Sequence, residues 1–344
     1  MRRQKVLLMV HEALVPPSDL TGLSETDIDK FRTEYNVLTA LENLGHEVRV
    51  IGLGDQLSEL RHTIRDWNPK IVFNLLDEFS GIESYDHYVV AYLELMQQPY
   101  TGCNPRGMML SRDKVLTKQL LAWHRVQTPD FRLFPYGRSF RLPRSLKFPL
   151  FVKSATEDAS MGISQASLVD NAASLRERVE FIHEHVQSDA LVEEYIDGRE
   201  LYIGVMGNTR LTTLPVWEID FGTLSRVQAR IATRKVKWDR NYQQRHEIKT
   251  GAARDLRPDQ VRQLSHLAKR IFRALHMSGY ARLDLRMRDD GSVFLLEANA
   301  NPDLTYGEDF AESAAAFGLG YEPLIKRILS LGQAYLPEWR MFEP

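Results

Sequence analysis

The chain has 344 residues, more than one hydrophobic core usually supports, so two or three structural units are expected. Its 44 Lys and Arg residues nearly balance its 46 Asp and Glu residues, which excludes an overall charge that would attract nucleic acid or an anionic membrane. Cys103 is the only cysteine, which excludes an internal disulfide framework and predicts a reducing, cytoplasmic location.

The amino-terminal segment reads as the first strand of a sheet. The apolar run in "KVLLMV" (5–10) is short and ends at once at His11 and Glu12, which is not typical of a signal peptide. No stretch approaches about 18 uninterrupted apolar residues, so no transmembrane helix is predicted.

The first third of the chain predicts an open α/β domain. "HEVRVIGLG" (46–54) and "KIVFNLL" (70–76) read as further strands. Between the first two strands, "SETDIDKFRTEYNVLTALENLG" (24–45) predicts a helix, since Ser24 and Asp27 have capping-box spacing and Gly45 suits the end of a helix. Residues 1–110 are therefore predicted to carry a parallel sheet, with ligands at the carboxyl ends of its strands. His11 and Glu12 border that crevice, where a substrate role and a simple cap or turn role are both open.

Two further units are predicted after this domain. Residues 111–190 begin near "SRDKVLTK" and end with a helix near Val186. Residues 191–344 open with a predicted hairpin at Gly207-Asn208, and continue to helices around 258–277, a second hairpin and a terminal helix from Tyr321.

The second hairpin carries the strongest chemical signal. If Asp290-Gly291 in "ARLDLRMRDDGSVFLLEANA" (281–300) is a two-residue turn, the facing pairs are Asp289–Ser292, Asp284–Glu297 and Arg282–Asn299. The last four residues then share one face, and directly opposed carboxylates repel unless a cation lies between them. Hard oxygen ligands favour Mg²⁺, which completes its shell with water and phosphate. The alternative is a solvated polar face of an edge hairpin.

Two weaker signals point to phosphate. Lys153 ends the predicted strand "FPLFVK", and the small-residue loop after it, "SATEDASMGIS", lets backbone N–H groups approach a phosphate, although an ordinary hairpin loop has the same composition. The basic segment "RKVKWDRNYQQRHEIK" (234–249), which contains Lys237, fits either a solvated loop or a mobile cationic lid.

Together these segments resemble the ATP-grasp superfamily, and within it the D-alanine–D-alanine ligase-like family. The resemblance covers most of the chain in order, through "QQPYTGCNP", "SRDKVLTK", "FPLFVK" with "EDASMGI", "LVEEYIDGREL", "GYARLDL", "LLEANANP" and "GLGYEPLI". It implies an α/β ATP-grasp fold in which an N-terminal parallel α/β domain precedes central and C-terminal domains that sandwich ATP. A homodimer is also expected from the family.

The resemblance also implies roles for individual residues. The expected nucleotide-binding residues are Lys114, Lys153, Ser160, Met161, Gly162, Glu193, Glu194, Tyr195, Ile196, Glu200 and Lys237. The expected metal ligands are Asp284, Glu297 and Asn299, for two Mg²⁺ ions or for Mn²⁺. Arg282 is expected to stabilise the transition state, and Ser160 and Lys237 also count as catalytic.

The implied chemistry is ATP-dependent formation of a peptide or amide bond through an acyl phosphate, with ADP and phosphate released. The sequence departs from the family around the substrates: "VHEALVPP" replaces its Gly-Gly-x-Ser-x-Glu run, and "NLLDEFSGIESYD" replaces its His-Gly…Gly-Glu-Asp-Gly segment. Asp303 stands at a family glycine, and Glu308 at a serine that helps bind the acceptor carboxylate. Because glutamate repels a carboxylate, the acceptor is expected to differ from D-alanine and to present an amine or guanidinium near Glu308. Glu308 as a solvated helix-start residue is the alternative.

Three functions are therefore weighed. A carboxylate–amine ligase acting on amino acids or small peptides is the first, and genuine D-alanine–D-alanine ligation is a rival of the same class. A catalytically silent ATP-binding regulatory protein belongs to another class, which the set of opposed carboxylates with Lys153 and Arg282 argues against. Nucleic-acid or membrane partners are not expected.

Overall fold

The structure is a computed structural model that describes residues 3–138, 146–155, 164–224, 230–233, 235–236 and 239–341. In this part of the chain no helix has both the length and the apolar character needed to cross a membrane.

The amino-terminal sheet is parallel, as predicted. Its strands β1 (Lys5–His11), β2 (Glu47–Leu53) and β3 (Ile71–Asn74) lie in the order β2-β1-β3. Helices α1 (Glu25–Lys30) and α2 (Arg32–Asn43) connect β1 to β2, and α3 (Ser58–Trp67) connects β2 to β3. The central strand is buried from Val6 to Val10, which is typical of a parallel strand covered on both faces.

The helix predicted over 24–45 is two helices. Ser24 caps α1 as expected, because its Oγ accepts a hydrogen bond from the Asp27 backbone N–H. The chain then leaves helical geometry at Phe31, where φ is −122° and ψ is 23°, and α2 begins at the next residue. The single-helix prediction was wrong in this respect, because helical spacing of apolar residues continues across a break of one residue.

The central part of the chain forms a four-stranded antiparallel sheet. After α4 (Asp86–Leu95), α5 (Pro105–Arg112) and α6 (Lys114–Trp123), the sheet contains β4 (Phe131–Phe134), β5 (Leu150–Ser154), β6 (Leu168–Val169) and β7 (Ala190–Glu194) in the order β4-β7-β5-β6. Helix α7 (Ala172–Phe181), extended by a π-helical turn over Ile182–Val186, covers this sheet.

The largest sheet follows. It contains β8 (Arg199–Met206), β9 (Thr212–Thr213), β10 (Trp217–Asp220), β11 (Lys249–Ala252), β12 (Tyr280–Met287) and β13 (Val293–Ala300) in the order β11-β10-β8-β12-β13, with β9 paired to β8. The predicted hairpin at Gly207 therefore joins β8 to β9, through a longer loop than two residues. The helices of this part are α8 (Arg240–His246), α9 (Pro258–Ala274), α10 (Asp309–Ala316), α11 (Tyr321–Ala334) and α12 (Glu338–Met341).

The carboxyl-terminal helices close the structure against the amino-terminal sheet. Val37 and Leu41 of α2 share one buried apolar cluster with Leu324 and Ile328 of α11. Polar contacts join the same two regions: the Asn36 side chain accepts a hydrogen bond from the Tyr306 backbone N–H at 3.1 Å. The first part of the chain therefore packs directly beside the segment that follows β13. The division into domains at residues 110 and 190 stays a prediction.

Candidate active site

The hairpin of β12 and β13 pairs the predicted residues, but not through the predicted turn. The loop has three residues, Asp289 to Gly291, with Arg288 and Ser292 paired by the hydrogen bond from the Arg288 N–H to the Ser292 carbonyl. The two-residue turn and the Asp289–Ser292 pair were wrong. A β-bulge between Asp284 and Leu285 shifts the register by one residue, so that Asp284 pairs with Glu297 and Arg282 with Asn299 as expected.

Basic side chains meet both opposed carboxylates. Arg282 forms a bidentate ion pair with Asp284, with Nε–Oδ1 2.8 Å and Nη2–Oδ2 3.0 Å. Lys114, near the start of α6, places its Nζ 3.1 Å from Oε1 of Glu297. Asp284 and Lys114 are almost fully buried, while Glu297 is half-buried. The protein itself therefore supplies positive charge to the pair that was predicted to need a metal cation.

The Arg282–Asp284 pair is strongly ionic. Burial alone would lower the pKa of Arg282, but the Asp284 carboxylate overrides it and holds that pKa far above its ordinary value. The guanidinium also lies over the ring of Tyr202, 5.0 Å from its centroid. Arg282 is thus a fixed, fully charged group on the face that carries the proposed metal ligands.

Asn299 is the third member of this face and has an unsatisfied atom. Its Nδ2 is buried without a hydrogen-bond partner among the described residues. The nitrogen and oxygen of an amide exchange places when its terminal torsion rotates by 180°, so the same position can present an oxygen. A buried polar atom without a partner is costly in the protein alone, and an added ligand would remove that cost.

A second charged cluster lies between β5, β7 and α6. Glu193 on β7 accepts contacts from Lys118 at 2.7 Å and from Lys153 at 3.2 Å, and its side chain is 3% exposed. Burial opposes ionisation of Glu193, but the two lysines together hold the pKa of its carboxyl below its ordinary value. The cluster carries two positive charges and one negative charge, which leaves one positive charge for an anion.

A third cluster joins β8 to β12. Arg286 donates two hydrogen bonds to Oε2 of Glu200, at 2.5 and 3.1 Å, and one to the Ile196 carbonyl at 3.1 Å. It also donates to the Tyr195 hydroxyl, and the Tyr202 hydroxyl donates to Oε1 of Glu200. Glu200 and Arg286 are both buried, so in this structure the predicted ribose ligand is held in an ion pair. Glu194 lies beside this region and accepts from the Lys147 backbone N–H at 3.3 Å.

The predicted substrate residues lie at the edge of the amino-terminal sheet and after β13. His11 acts as a cap, because its Nδ1 accepts from the Ala13 backbone N–H, while its Nε2 lies 3.2 Å from Oε1 of Glu78. Glu12 begins the short 3-10 helix that follows β1, and its carboxylate lies against Gly54.

Asp303 and Glu308 follow the Asn-x-x-Pro segment. The Asp303 Oδ1 accepts hydrogen bonds from Thr33 of α2 at 3.0 Å and from the Thr305 hydroxyl at 2.6 Å. Glu308 is half-buried and is the residue from which α10 begins, without capping the helix through its side chain.

Five predicted positions lie outside the described residues. They are Ser160, Met161 and Gly162 of the small-residue loop, and Lys237 and Trp238 of the basic segment.

Comparisons with known proteins decide the family. Residues 120–330 match the sequence model of a family described as D-ala D-ala ligase C-terminus. The chain belongs to the D-alanine–D-alanine ligase family. It is 33% identical over 308 residues to the uncharacterised protein y4sG of Sinorhizobium fredii, covering 87% of each chain. It is 29% identical over 298 residues to a D-alanine–D-alanine ligase of Nitratidesulfovibrio vulgaris, covering 85% of this chain and 89% of that one.

Solved structures agree on the fold. The crystal structure of the Bacillus anthracis D-alanine–D-alanine ligase complexed with ATP superimposes with a TM-score of 0.72 at 20% identity, covering 96% of this chain and 98% of the other. A second structure of that enzyme gives a TM-score of 0.73 at 19% identity. The predicted α/β ATP-grasp fold is confirmed, and so is membership of a ligase family that forms C–N bonds with ATP. Ligases of this family use ATP and Mg²⁺.

The donor set fits the Mg²⁺ of the family. Among the described residues no group of three or more His, Cys, Asp or Glu side chains converges to hold a metal. Two carboxylates and one amide on one face are instead a partial oxygen shell, which is how Mg²⁺ binds when phosphate and water complete its octahedron. Asp284, Glu297 and Asn299 would hold it, with the unsatisfied Asn299 amide as the feature that a metal explains.

Sequence reasoning did not assign a role to several ligase-site residues. Lys118 lies one helical turn beyond Lys114 on α6, and the i,i+4 spacing was the available signal. Arg286 alternates with Arg282 and Asp284 along β12, so period two placed it on the same face. Glu34 occupies a position on α2 that continues the apolar spacing of Val37 and Leu41, where a carboxylate is out of place.

Proposed function

We propose that this chain is an ATP-dependent carboxylate–amine ligase that joins amino acids or small peptides through an acyl phosphate, with an acceptor other than D-alanine. The observation that carries the proposal is the single hairpin face that combines Arg282 with Asp284, Glu297 and Asn299, next to Lys114. Family membership supplies the reaction class, and the residues below give it a site.

The reaction needs two steps because a carboxylate is a poor acyl donor. A carboxylate oxygen attacks the γ-phosphorus of ATP, the bond to ADP breaks, and an acyl phosphate forms. The amine of the acceptor then attacks the acyl carbon, phosphate leaves, and the amine loses a proton to give a neutral amide. Negative charge develops on the transferring phosphoryl group and on the tetrahedral oxyanion, so a site for this reaction must present fixed positive charge.

The described residues offer that charge in order. Lys114 and Lys153 would contact the phosphates, with Glu193 and the Tyr195–Ile196 backbone at the adenine and Glu200 at the ribose. Arg282 would stabilise the oxyanion. Mg²⁺, when bound by Asp284, Glu297 and Asn299, would neutralise charge on the β- and γ-phosphates. We propose two ions, with Mn²⁺ able to replace Mg²⁺ because both accept octahedral oxygen ligands.

Nucleotide binding on this proposal requires partners to be exchanged. Glu200 is paired with Arg286 and Asp284 with Arg282 in the structure without nucleotide. Ribose hydroxyls and a metal ion are the groups that would share or replace these contacts.

The acceptor is proposed to carry positive charge where D-alanine presents its carboxylate. Glu308 stands at the position of the family serine that meets this carboxylate, and Asp303 four residues before it adds a second negative charge. Both are at most half-exposed, so water screens them incompletely. Genuine D-alanine–D-alanine ligation is the alternative, and a catalytically silent ATP-binding protein is the alternative of another class.

The location and assembly are proposed as well. A single reduced cysteine and a requirement for ATP favour the cytoplasm. A homodimer is proposed from the family alone.

The test is release of ADP by the purified protein with Mg²⁺ and ATP against an array of amino acids, dipeptides and amines, with mass spectrometry of the products. A product that contains a new amide supports the ligase. Robust formation of D-alanyl-D-alanine, unchanged in Glu308→Gln, overturns the proposed acceptor. ATP binding without ADP release in the presence of any pair favours the silent protein.

A further inference from the structure

Glu34 is a buried carboxylate without a partner. It lies in the first turn of α2, on the face whose next members, Val37 and Leu41, are in the apolar core. Its side chain belongs to a residue only 6% exposed, and no side chain of the described residues donates a hydrogen bond to it or pairs with it. The other buried carboxylate of the amino-terminal part, Asp86, is treated differently, since it lies 2.6 Å from the Arg112 guanidinium.

The charges that act on Glu34 are also negative. Burial raises the pKa of Glu34 to about 7, and the nearby carboxylates of Asp77 and Asp303 raise it further rather than offsetting the burial. Asp303 is fixed beside α2, because its Oδ1 accepts a hydrogen bond from Thr33, the residue before Glu34. Three carboxylates therefore border one recess, and the most buried of them has no counter-ion.

The recess lies next to the proposed reaction centre. Asp77 follows β3 by three residues, at the carboxyl edge of the parallel sheet, where open α/β domains bind their ligands. Asp303 follows the proposed metal ligand Asn299 by four residues. A substrate that reaches the hairpin face from the amino-terminal sheet passes these carboxylates.

We propose that the recess bounded by Glu34, Asp77 and Asp303 binds a positively charged side chain of one of the two substrates, so that this ligase acts on a basic amino acid or a peptide that contains one. A cation provides what the protein lacks at Glu34, namely a donor and a positive charge. A zwitterion such as alanine carries one ammonium group, whereas three carboxylates match a substrate with an additional guanidinium or ammonium group. The inference rests on the proposed ligase function for the identity of the ligand as substrate.

The test compares substrates that differ only in charge. Arginine and citrulline have nearly the same shape but carry a guanidinium and a neutral urea group, and lysine and norleucine form a second such pair. ADP release is measured with each compound in both stereoisomers, as donor and as acceptor, with the full-length protein, ATP and Mg²⁺. We expect kcat/KM to favour the charged member of at least one pair on the order of tenfold or more, the usual effect of losing a charge-assisted hydrogen bond.

The variant Glu34→Gln is expected to reduce that preference to near one. Gln keeps the size of the side chain and removes a buried unpaired charge, so the variant should fold. The matched control is Glu42→Gln, an exposed carboxylate on the same helix, which should keep the preference of the wild type. Turnover with no charge preference in either pair overturns the inference and leaves the ligase proposal intact.

Calorimetric titration without ATP separates the two proposals. Binding of arginine or lysine that is weakened in Glu34→Gln but not in Glu42→Gln supports the recess even if no ADP is released. If neither arginine nor lysine binds and neither supports turnover, the inference is wrong.

Discussion

Arg282 and Asp284 project from alternate positions of β12 and form a bidentate ion pair on the face that also presents Glu297 and Asn299. The pair means that a proposed metal ligand is already neutralised by the residue proposed to stabilise the transition state. Binding of Mg²⁺ at Asp284 would then release the guanidinium toward the reacting carbonyl. Ion binding and preparation of the oxyanion site would be one event on this reading.

Replacement of Arg282 by Ala should separate binding from turnover. We expect kcat to fall on the order of a hundredfold or more, since a preorganised cation is lost where negative charge develops, while the KM for ATP changes little. Steady-state kinetics of ADP release measure both. Arg288→Ala is the control, because Arg288 follows β12 and stacks on Phe294 instead of facing the carboxylates. A near-normal kcat in Arg282→Ala would contradict the assigned role.

Replacement of Asn299 by Ala should affect metal use more than stability. The Asn299 Nδ2 makes no hydrogen bond among the described residues, so its loss should change the free energy of unfolding by no more than about 1 kcal/mol. The Mg²⁺ concentration for half-maximal activity should rise at least about tenfold, since even outer-shell partners of metals contribute this much. Thermal unfolding and a Mg²⁺ titration provide the two readings. An unchanged titration would remove Asn299 from the ligand set.

Replacement of Glu200 by Gln should destabilise the fold strongly. The change leaves Arg286 buried with half of its charge partner removed, which commonly costs about 3–5 kcal/mol. Glu218→Gln is the matched control, because Glu218 pairs with Arg199 on the same sheet in a more exposed setting, where a pair contributes no more than about 1 kcal/mol. Urea unfolding should rank the two variants in this order, and equal effects would argue against a buried, charged Glu200–Arg286 pair.

Replacement of Glu34 by Gln should stabilise the protein in a pH-dependent manner. The pKa of Glu34 is raised from 4.5 to about 7, mainly by burial, so the unfolded chain releases this proton at lower pH than the native protein. Stability is therefore lost as pH rises from 4.5 through 7, by an amount on the order of 3 kcal/mol at pH 8. Glu34→Gln should recover that amount at pH 8 and progressively less as the pH is lowered toward 4.5.

Glu42→Gln again provides the comparison for this pH series. Unfolding by urea at pH 5.5 and pH 8, without substrates, measures the difference. A gain in Glu34→Gln that does not grow with pH would show that the carboxylate is not the source of the effect.

The sequence predicted the fold where periodicity is local. The parallel strands around Val6 to Val10 and the capping at Ser24 follow from patterns within a few residues. The break at Phe31 does not, because a change of one residue's dihedral angles leaves the apolar spacing of both helices intact.

The site was predicted in part, and for a physical reason. Arg282, Asp284, Glu297 and Asn299 lie within one hairpin, so counting residues places them together. Glu200 and Arg286 meet across 86 positions of the chain, and no local pattern specifies such a pair. The carboxylate recess is harder still, because it depends on α2, the end of β3 and the segment after β13 packing side by side.

The irregularity in β13 affects how relatives should be aligned. The three-residue loop and the bulge near Leu296 offset each other, so the two opposed carboxylates would still face each other in a chain that lacked both the bulge and one residue. A single-residue gap at this place in an alignment is then a change in strand geometry and no sign of a lost ligand. Searches that require a fixed spacing between the two acids would miss enzymes whose chemistry is unchanged.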